Sequence, residues 1–320
     1  MTFVDYLTEL FYLIDTELAA LNLGRLRARG PAPRLHDSEV ITVELAGEFL
    51  GLDTDEGIWR FFRTYHAAEF PRLPDVDRTR FARQAADLWR VKQLLHERVL
   101  RRLPPDGEAD GPGAAFDAPL WVIDSFPLRV CRYKRAPAHK LFRGLAAYGY
   151  DPTAGSDLPG GRRGMMYGFH AHLRVRGDGP CLQVELAPAN VHDRPMVREL
   201  LPPPGRMPAA GAVGVGDRHY WQPDGRPELL ALGLDLIAPF SKRGHDPRPL
   251  AARLIGRLRQ VIEPVIAQLA TRFHAQRTWA RDLWHLTSRL TRKVLSHTAA
   301  ILINWRHGNP MLQLDALITA

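Results

Sequence analysis

Three carboxylates stand in local sequences that could build a metal-dependent site. Asp124 follows an apolar run in WVIDSFP, Asp217 follows another in AVGVGDRHYW, and Glu263 lies in RLRQVIEPVIAQL, whose apolar residues have helical spacing. Carboxylate oxygens are hard ligands, and two-metal cleavage of a phosphodiester needs several of them to converge on ions roughly 3.5–4 Å apart. Two aspartates at strand ends and a glutamate on a helix supply such a donor set. Mg2+ is the matching ion, with Mn2+ as a substitute and two ions per site. Each residue also has a plainer use: an Asx turn for Asp124, a helix N-cap for Asp217, a solvent-facing position for Glu263. They are separated by 93 and 46 residues, so only the fold can bring them together.

Other residues invite chemistry less strongly. His170 and His172 alternate on one strand face, which suggests a metal pair, but no third ligand stands at a sensible spacing, and structural or DNA-adjacent roles are the simpler expectation. Asn190 and Asp193 fall where a strand passes into a helix, where capping explains them economically. Cys131 and Cys181 are too few for a disulfide framework and match no CxxC pattern, so both read as reduced and structural.

The elements that would position these groups change character along the chain. Phe3, Tyr6, Leu7, Leu10, Phe11 and Ile14 recur at helical spacing after Thr2, a candidate N-cap. Further helices are expected after Asp37 and Asp55, and a longer one after Asp77. Residues 1–105 therefore read as a helical bundle, 106–118 as a linker rich in Pro, Gly and acidic residues, and 119–320 as a second domain. There, strand signals run at 120–123, 168–175, 182–186, 213–215 and 236–237, followed by helices over 250–273 and from Leu283 onward. Three strands, a helix, a strand, a helix, a strand and closing helices make a ribonuclease-H-like α/β domain with a mixed five-stranded sheet.

Charge points to a polyanionic partner. The 320 residues contain 43 Lys and Arg against 35 Asp and Glu, a formal net charge of +8. Arg132, Lys134, Arg135, Lys140 and Arg143 cluster between two expected strands, and Arg162 and Arg163 follow in a Gly-rich loop; such a flexible basic arm suits phosphates. No apolar stretch is long enough to span a bilayer and the first residues lack a secretory pattern, so the expected location is cytoplasmic.

WVIDSFP, MMYGFHAHLRV, LAPANVHDRP, VGDRHYW and LRQVIEPVIAQL, in that order, resemble the DDE transposases of bacterial insertion sequences, in particular the branch whose first aspartate opens an Asp-Ser-Phe-Pro motif. DSEVITVELAGEFL in the first half resembles that branch too. The resemblance implies a catalytic triad of Asp124, Asp217 and Glu263 and metal-dependent cutting of element ends, followed by joining of a 3′ hydroxyl to target DNA. It further implies double-stranded DNA partners, namely terminal inverted repeats and target, a homodimer or higher oligomer on DNA, a nucleoid-associated location and an end-reading N-terminal domain. Arg259, one turn before Glu263 on the same helix face, would approach a phosphate. Lys293 falls where relatives often carry a basic residue, and a solvated helix face is an equal reading. Two other functions fit the same residues: an inactive DNA-binding or regulatory remnant, and a nuclease of this fold without strand transfer. One departure bears on them. Pro264 follows Glu263 directly, where many relatives carry a small or hydroxyl residue, and an interior proline costs a helix about 3 kcal/mol, so a kink or a new helix start is expected there.

Overall fold

The computed structural model describes residues 1–24, 32–104, 119–151, 164–203, 206–209, 211–239, 249–277 and 279–318. The linker expected over 106–118 lies outside them. The chain divides into two compact units, a helical one of Met1–Leu103, Ala267–Ala280 and Trp284–Ala320, and a second of Pro104–Ile266 with Arg281–Leu283.

The helical unit opens with α1 (Phe3–Leu21), α2 (Asp37–Phe49), α3 (Asp55–Tyr65), α4 (Arg78–Asp87) and α5 (Trp89–Leu100). Start signals in the sequence become caps. Thr2 Oγ1 accepts from the Asp5 N–H while the Asp5 carboxylate accepts from the Thr2 N–H, a reciprocal capping box. Thr54 and Asp77 cap α3 and α4 by single bonds, their side-chain oxygens accepting from the Gly57 and Arg80 N–H groups. The long helix expected after Asp77 is two helices, divided at Leu88. The closing helix α9 (Leu283–Arg306) belongs mainly to this unit, although sequence grouping assigns it to the second domain; its Leu295 and Ala299 to Ile303 lie in one apolar core with Tyr6, Leu10, Ile41, Phe62 and Leu95.

Lys293 is not on a solvated face. It is buried, ion-paired with Glu48 and donating to the Phe273 carbonyl at 2.7 Å. Beside it the buried Arg292 donates to Glu44 at 2.9 Å and to Asp55 at 2.7 Å, and the buried Lys92 donates to both Glu44 oxygens at 2.9 and 3.0 Å. Each buried carboxylate thereby meets a cation, the condition under which ionised groups are tolerated inside a core.

The second unit is built on a mixed sheet of β1 (Leu120–Cys131), β2 (Ala147–Tyr150), β3 (Met165–Arg176), β4 (Cys181–Pro188), β5 (Ala212–Gly216) and β6 (Leu234–Ile237). β1 runs antiparallel to β3 and parallel to β5, and β5 runs parallel to β6. The far edge of β3 takes two partners end to end, β2 against Met165–Gly168 and β4 against Phe169–Val175. The sheet is therefore five strands wide with one short addition, the ribonuclease-H-like arrangement. β2 carries no sequence signal beyond AYGY, because a four-residue strand offers only two alternations. Pro127 does not end β1: pairing with β3 continues through Pro127↔His170 to Cys131. Pairing with β5 stops at Ile123, and the bare edge beyond tolerates a residue without an N–H.

Helices α6 (Asp193–Glu199) and α7 (Arg226–Ala231) follow β4 and precede β6. Val197, Leu200 and Leu229 bury against Trp121, Ile123, Ala212, Leu234 and Leu236, forming the core on one face. α8 (Pro249–Thr271) runs unbroken through Pro264, so no new helix starts there. Its buried residues Leu258, Ile262, Val265 and Leu269 keep the 4-3-4 spacing of one face. Cys131 and Cys181 are both free thiols.

Candidate functional site

Asp124 lies within β1 at the residue where that strand loses its parallel neighbour. The pairing of β1 with β5 ends at Ile123↔Gly216, and the next residues on the two chains are Asp124 and Asp217. Asp217 is still extended (φ −74°, ψ −175°), which carries the register one step further and sets the two half-buried aspartates side by side on neighbouring strands. The capping use of Asp217 is realised, whereas Asp124 closes no Asx turn, since its bond is to the adjacent N–H and β1 runs on to Cys131. Asp124 Oδ1 accepts from the Ser125 N–H at 2.7 Å, and Asp217 Oδ1 accepts from the His219 N–H at 2.8 Å, capping the short 3-10 turn Arg218–Tyr220.

Tyr220 is the buried centre of the surroundings. Gly216 makes room for it, since a Cβ at that residue would stand 2.8–2.9 Å from Tyr220 carbons. The Tyr220 hydroxyl lies 3.3 Å from His172 Nδ1 and is hydrogen-bonded by the Ser125 side chain. Burial, reinforced by the negative charges of Asp193, Asp124 and Asp217, pushes its pKa well above 10, so it stays a protonated phenol. Burial also raises the Asp193 carboxyl, and the Asp217 charge adds to the effect against the pull of His170, His219 and His192. His172 is held down to about 4 by burial and by its neighbour His170, which keeps its imidazole neutral.

The two faces of the sheet divide these groups. Alternation along β1 turns Asp124 to the face of Val122 and Phe126, and Ser125 to that of Trp121 and Ile123. His172 stands directly across from Ser125, and Glu185 directly across from His172, so these share the second face. Asp193 is not the cap of α6. His192 occupies that position without a side-chain bond, and Asp193 is the first helical residue, its Oδ1 3.8 Å from His172 Nδ1. Asn190 is exposed in the turn before it. Among the described residues, His170, His172 and Asp193 form a set of three whose ligand atoms all lie within 4.8 Å of one another.

The structure thus sets Asp124 and Asp217 at neighbouring positions where the pairing of β1 with β5 ends, and it places Glu263 exposed on α8. Of the basic residues, Arg132, Lys134, Arg135, Lys140 and Arg143 are exposed on the connection between β1 and β2. That connection contains a 3-10 helix over Tyr133–Ala138, and the buried Phe142 rests edge-on against Phe169 at 5.4 Å, so it is more ordered than a flexible arm. Arg162 and Arg163 lie outside the described residues. Arg259 is on α8 one turn before Glu263, with its side chain outside the description. Sequence reading gave no role to Ser125 or Tyr220 and read Asp193 as a cap. The signal available was the direct attachment of the first two to the acidic motifs, in DSFP and GDRHYW.

No described helix is long and apolar enough to cross a membrane. Residues 117–282, just over half of the 320-residue chain, match a family described as a transposase DDE domain. No curated protein and no solved structure matches the chain.

Proposed function

Since the chain belongs to the transposase DDE domain family, we propose that it serves a bacterial insertion sequence of the Asp-Ser-Phe-Pro branch, cutting the element's ends and joining the 3′ hydroxyl to target DNA. The observation that carries this reading is the adjacency of Asp124 and Asp217 at the point where β5 ends beside β1. The negative charges of both half-buried carboxylates act on Tyr220. Two such hard-oxygen donors on neighbouring strands fit a divalent cation. Asp124 and Asp217 would hold it, with Glu263 contributing from α8, in a site for two Mg2+ ions or Mn2+ in their place. The ion supplies charge stabilisation at the reacting phosphate. The rest falls to the protein, which must hold the attacking oxygen in line with the scissile bond and neutralise phosphate charge, without a covalent intermediate on the enzyme.

The exposed cations Arg132, Lys134, Arg135, Lys140 and Arg143, together with Arg162, Arg163 and Arg259, are assigned to the DNA backbone. The helical unit is assigned to terminal inverted repeats. Two element ends call for at least a homodimer, and the place of action is the nucleoid in the cytoplasm.

The test incubates purified protein and Mg2+ with a labelled element end and a plasmid target. Wild type is expected to yield nicked ends and joined products. Asp124→Asn, Asp217→Asn and Glu263→Gln should each lose more than about 100-fold, since even outer partners of a metal site are worth 10–100-fold. Equal products from all four proteins would sink the assignment. Hydrolysis without joining would make the protein a nuclease, and DNA binding without either product a regulatory remnant.

A further inference from the structure

A second constellation lies across the sheet from the Asp124 carboxylate. His170 and His172 alternate on β3 and project from the face that carries Ser125, because His172 pairs directly with Ser125 and His170 with Pro127. α6 begins over the same place and delivers Asp193. One ring nitrogen of each histidine and one carboxylate oxygen of Asp193 fall within 4.8 Å of one another, and His172 Nδ1 itself is 3.8 Å from Asp193 Oδ1. These side chains do not serve as the cap of α6.

The hydrogen-bond pattern gives this cluster a direction. His170 Nε2 lies 3.2 Å from the Tyr150 carbonyl oxygen, which can only accept, so Nε2 carries the proton and Nδ1 keeps a lone pair. That Nδ1 is buried and has no hydrogen-bond partner. A histidine whose tautomer is set by a backbone carbonyl, leaving the other nitrogen unsatisfied, is the arrangement outer partners impose on metal-ligating imidazoles. His172 is fully buried with the Tyr220 hydroxyl at its Nδ1. Asp193 stands beside both rings, is repelled by Asp217 and is also drawn to His219 and His192. A bound cation would relieve that repulsion and tie the first turn of α6 to β3.

We propose that His170, His172 and Asp193 bind one divalent transition-metal ion, a site distinct from the carboxylate pair of Asp124 and Asp217. Two imidazoles and one carboxylate favour Mn2+, Co2+, Ni2+ or Zn2+ over Mg2+, which takes oxygen ligands. The site would position α6, and through it Asp217, without touching DNA. It does not depend on the chain being an active transposase.

The experiment strips the full chain with chelator, adds one equivalent of Mn2+ together with a large excess of Mg2+, and reads nitrogen couplings by pulsed electron paramagnetic resonance. Wild type should bind one Mn2+ carrying imidazole nitrogen couplings. His170→Gln should lose one nitrogen, and Asp193→Asn should bind more weakly by about 10-fold or more, both with unchanged circular dichroism. Asp124→Asn should keep the nitrogen couplings while losing DNA cleavage, which separates this site from the catalytic reading. Oxygen-only coupling in wild type, or binding by both His170→Gln and Asp193→Asn that equals wild type, would overturn it. If His170→Gln fails to fold, Asp193→Asn, changed at a partly exposed first-turn residue, decides alone.

Discussion

At the scale of single residues, the site rests on how closely side chains approach the ends of β1 and β5. Gly216 is the clearest case. With a Cβ only 2.8–2.9 Å from Tyr220, Gly216→Ala must push the ring out of its buried seat or move the strand end that carries Asp217. Overpacking of this kind costs about 1–3 kcal/mol. Chemical denaturation should show that loss, and the cost should shrink in a Tyr220→Gly background, which removes the Cβ, Cγ and Cδ2 atoms that the added methyl would meet. An equal cost in both backgrounds would mean that Tyr220 is not what the glycine accommodates. The neighbouring placement of Asp124 and Asp217 was legible in part, because an apolar run passing into an acidic residue marks where the parallel pairing of β1 with β5 stops, although β1 itself runs on to Cys131. Asp193 was not, because an aspartate at a helix start is explained sufficiently by capping. Its imidazole partners lie 21 and 23 residues earlier, and only the β3–β4 hairpin and the following turn bring them together.

At the scale of elements, α9 departs furthest from its sequence pattern. Leu286, Leu290 and Val294 mark one apolar face, from which a solvated opposite face follows; instead the helix is buried on all sides from Leu290 to Asn304, and its Arg292 and Lys293 find carboxylate partners inside. Periodicity reports which side is apolar and is silent on whether the other side meets water or buried carboxylates. Arg292 shows the consequence. Arg292→Met would leave Glu44 and Glu48 short of a cation in the core and should cost about 3–5 kcal/mol, read as a lower denaturation midpoint of the helical unit. A neutral result would mean that Lys92 and Lys293 suffice. The same helix carries a pH dependence. Gln268 donates its amide to the Leu312 carbonyl, so its oxygen accepts from His297 Nε2–H at 3.0 Å and leaves His297 Nδ1 buried without a partner. Burial, with a smaller push from His96, holds His297 down to about 3. The unfolded chain takes up this proton below roughly pH 6.5 and the folded one does not. His297 therefore lowers stability as pH falls from there towards about 3, by up to about 1.4 kcal/mol per pH unit, and contributes nothing above. Acid denaturation of wild type should be correspondingly steeper than that of His297→Gln, and parallel curves would show that the ring is protonated in the folded chain.

At the scale of the whole molecule, sequence order and spatial grouping part company. A linker of breakers and polar residues suggests two consecutive domains, yet the helical unit is discontinuous and completed by residues from the far end of the chain. No local signal encodes that return, since it depends on apolar residues of α9 matching a core begun almost 300 residues earlier. Charge, by contrast, was legible at this scale, because a sum over residues does not depend on the fold. The excess of +8 includes five exposed cations on one connection, between β1 and β2. If these meet DNA phosphates, each contact releases counterions and contributes about 0.9 to the slope of log affinity against log salt. Lys134→Ala combined with Arg135→Ala should therefore flatten the slope by about 1.8, measured by fluorescence anisotropy across a salt series. Because phosphate contacts carry no base information, the flattening should be the same on element-end DNA and on unrelated duplex. An unchanged slope would move the DNA path off this connection. A change confined to element ends would make the connection a reader of sequence rather than a holder of backbone.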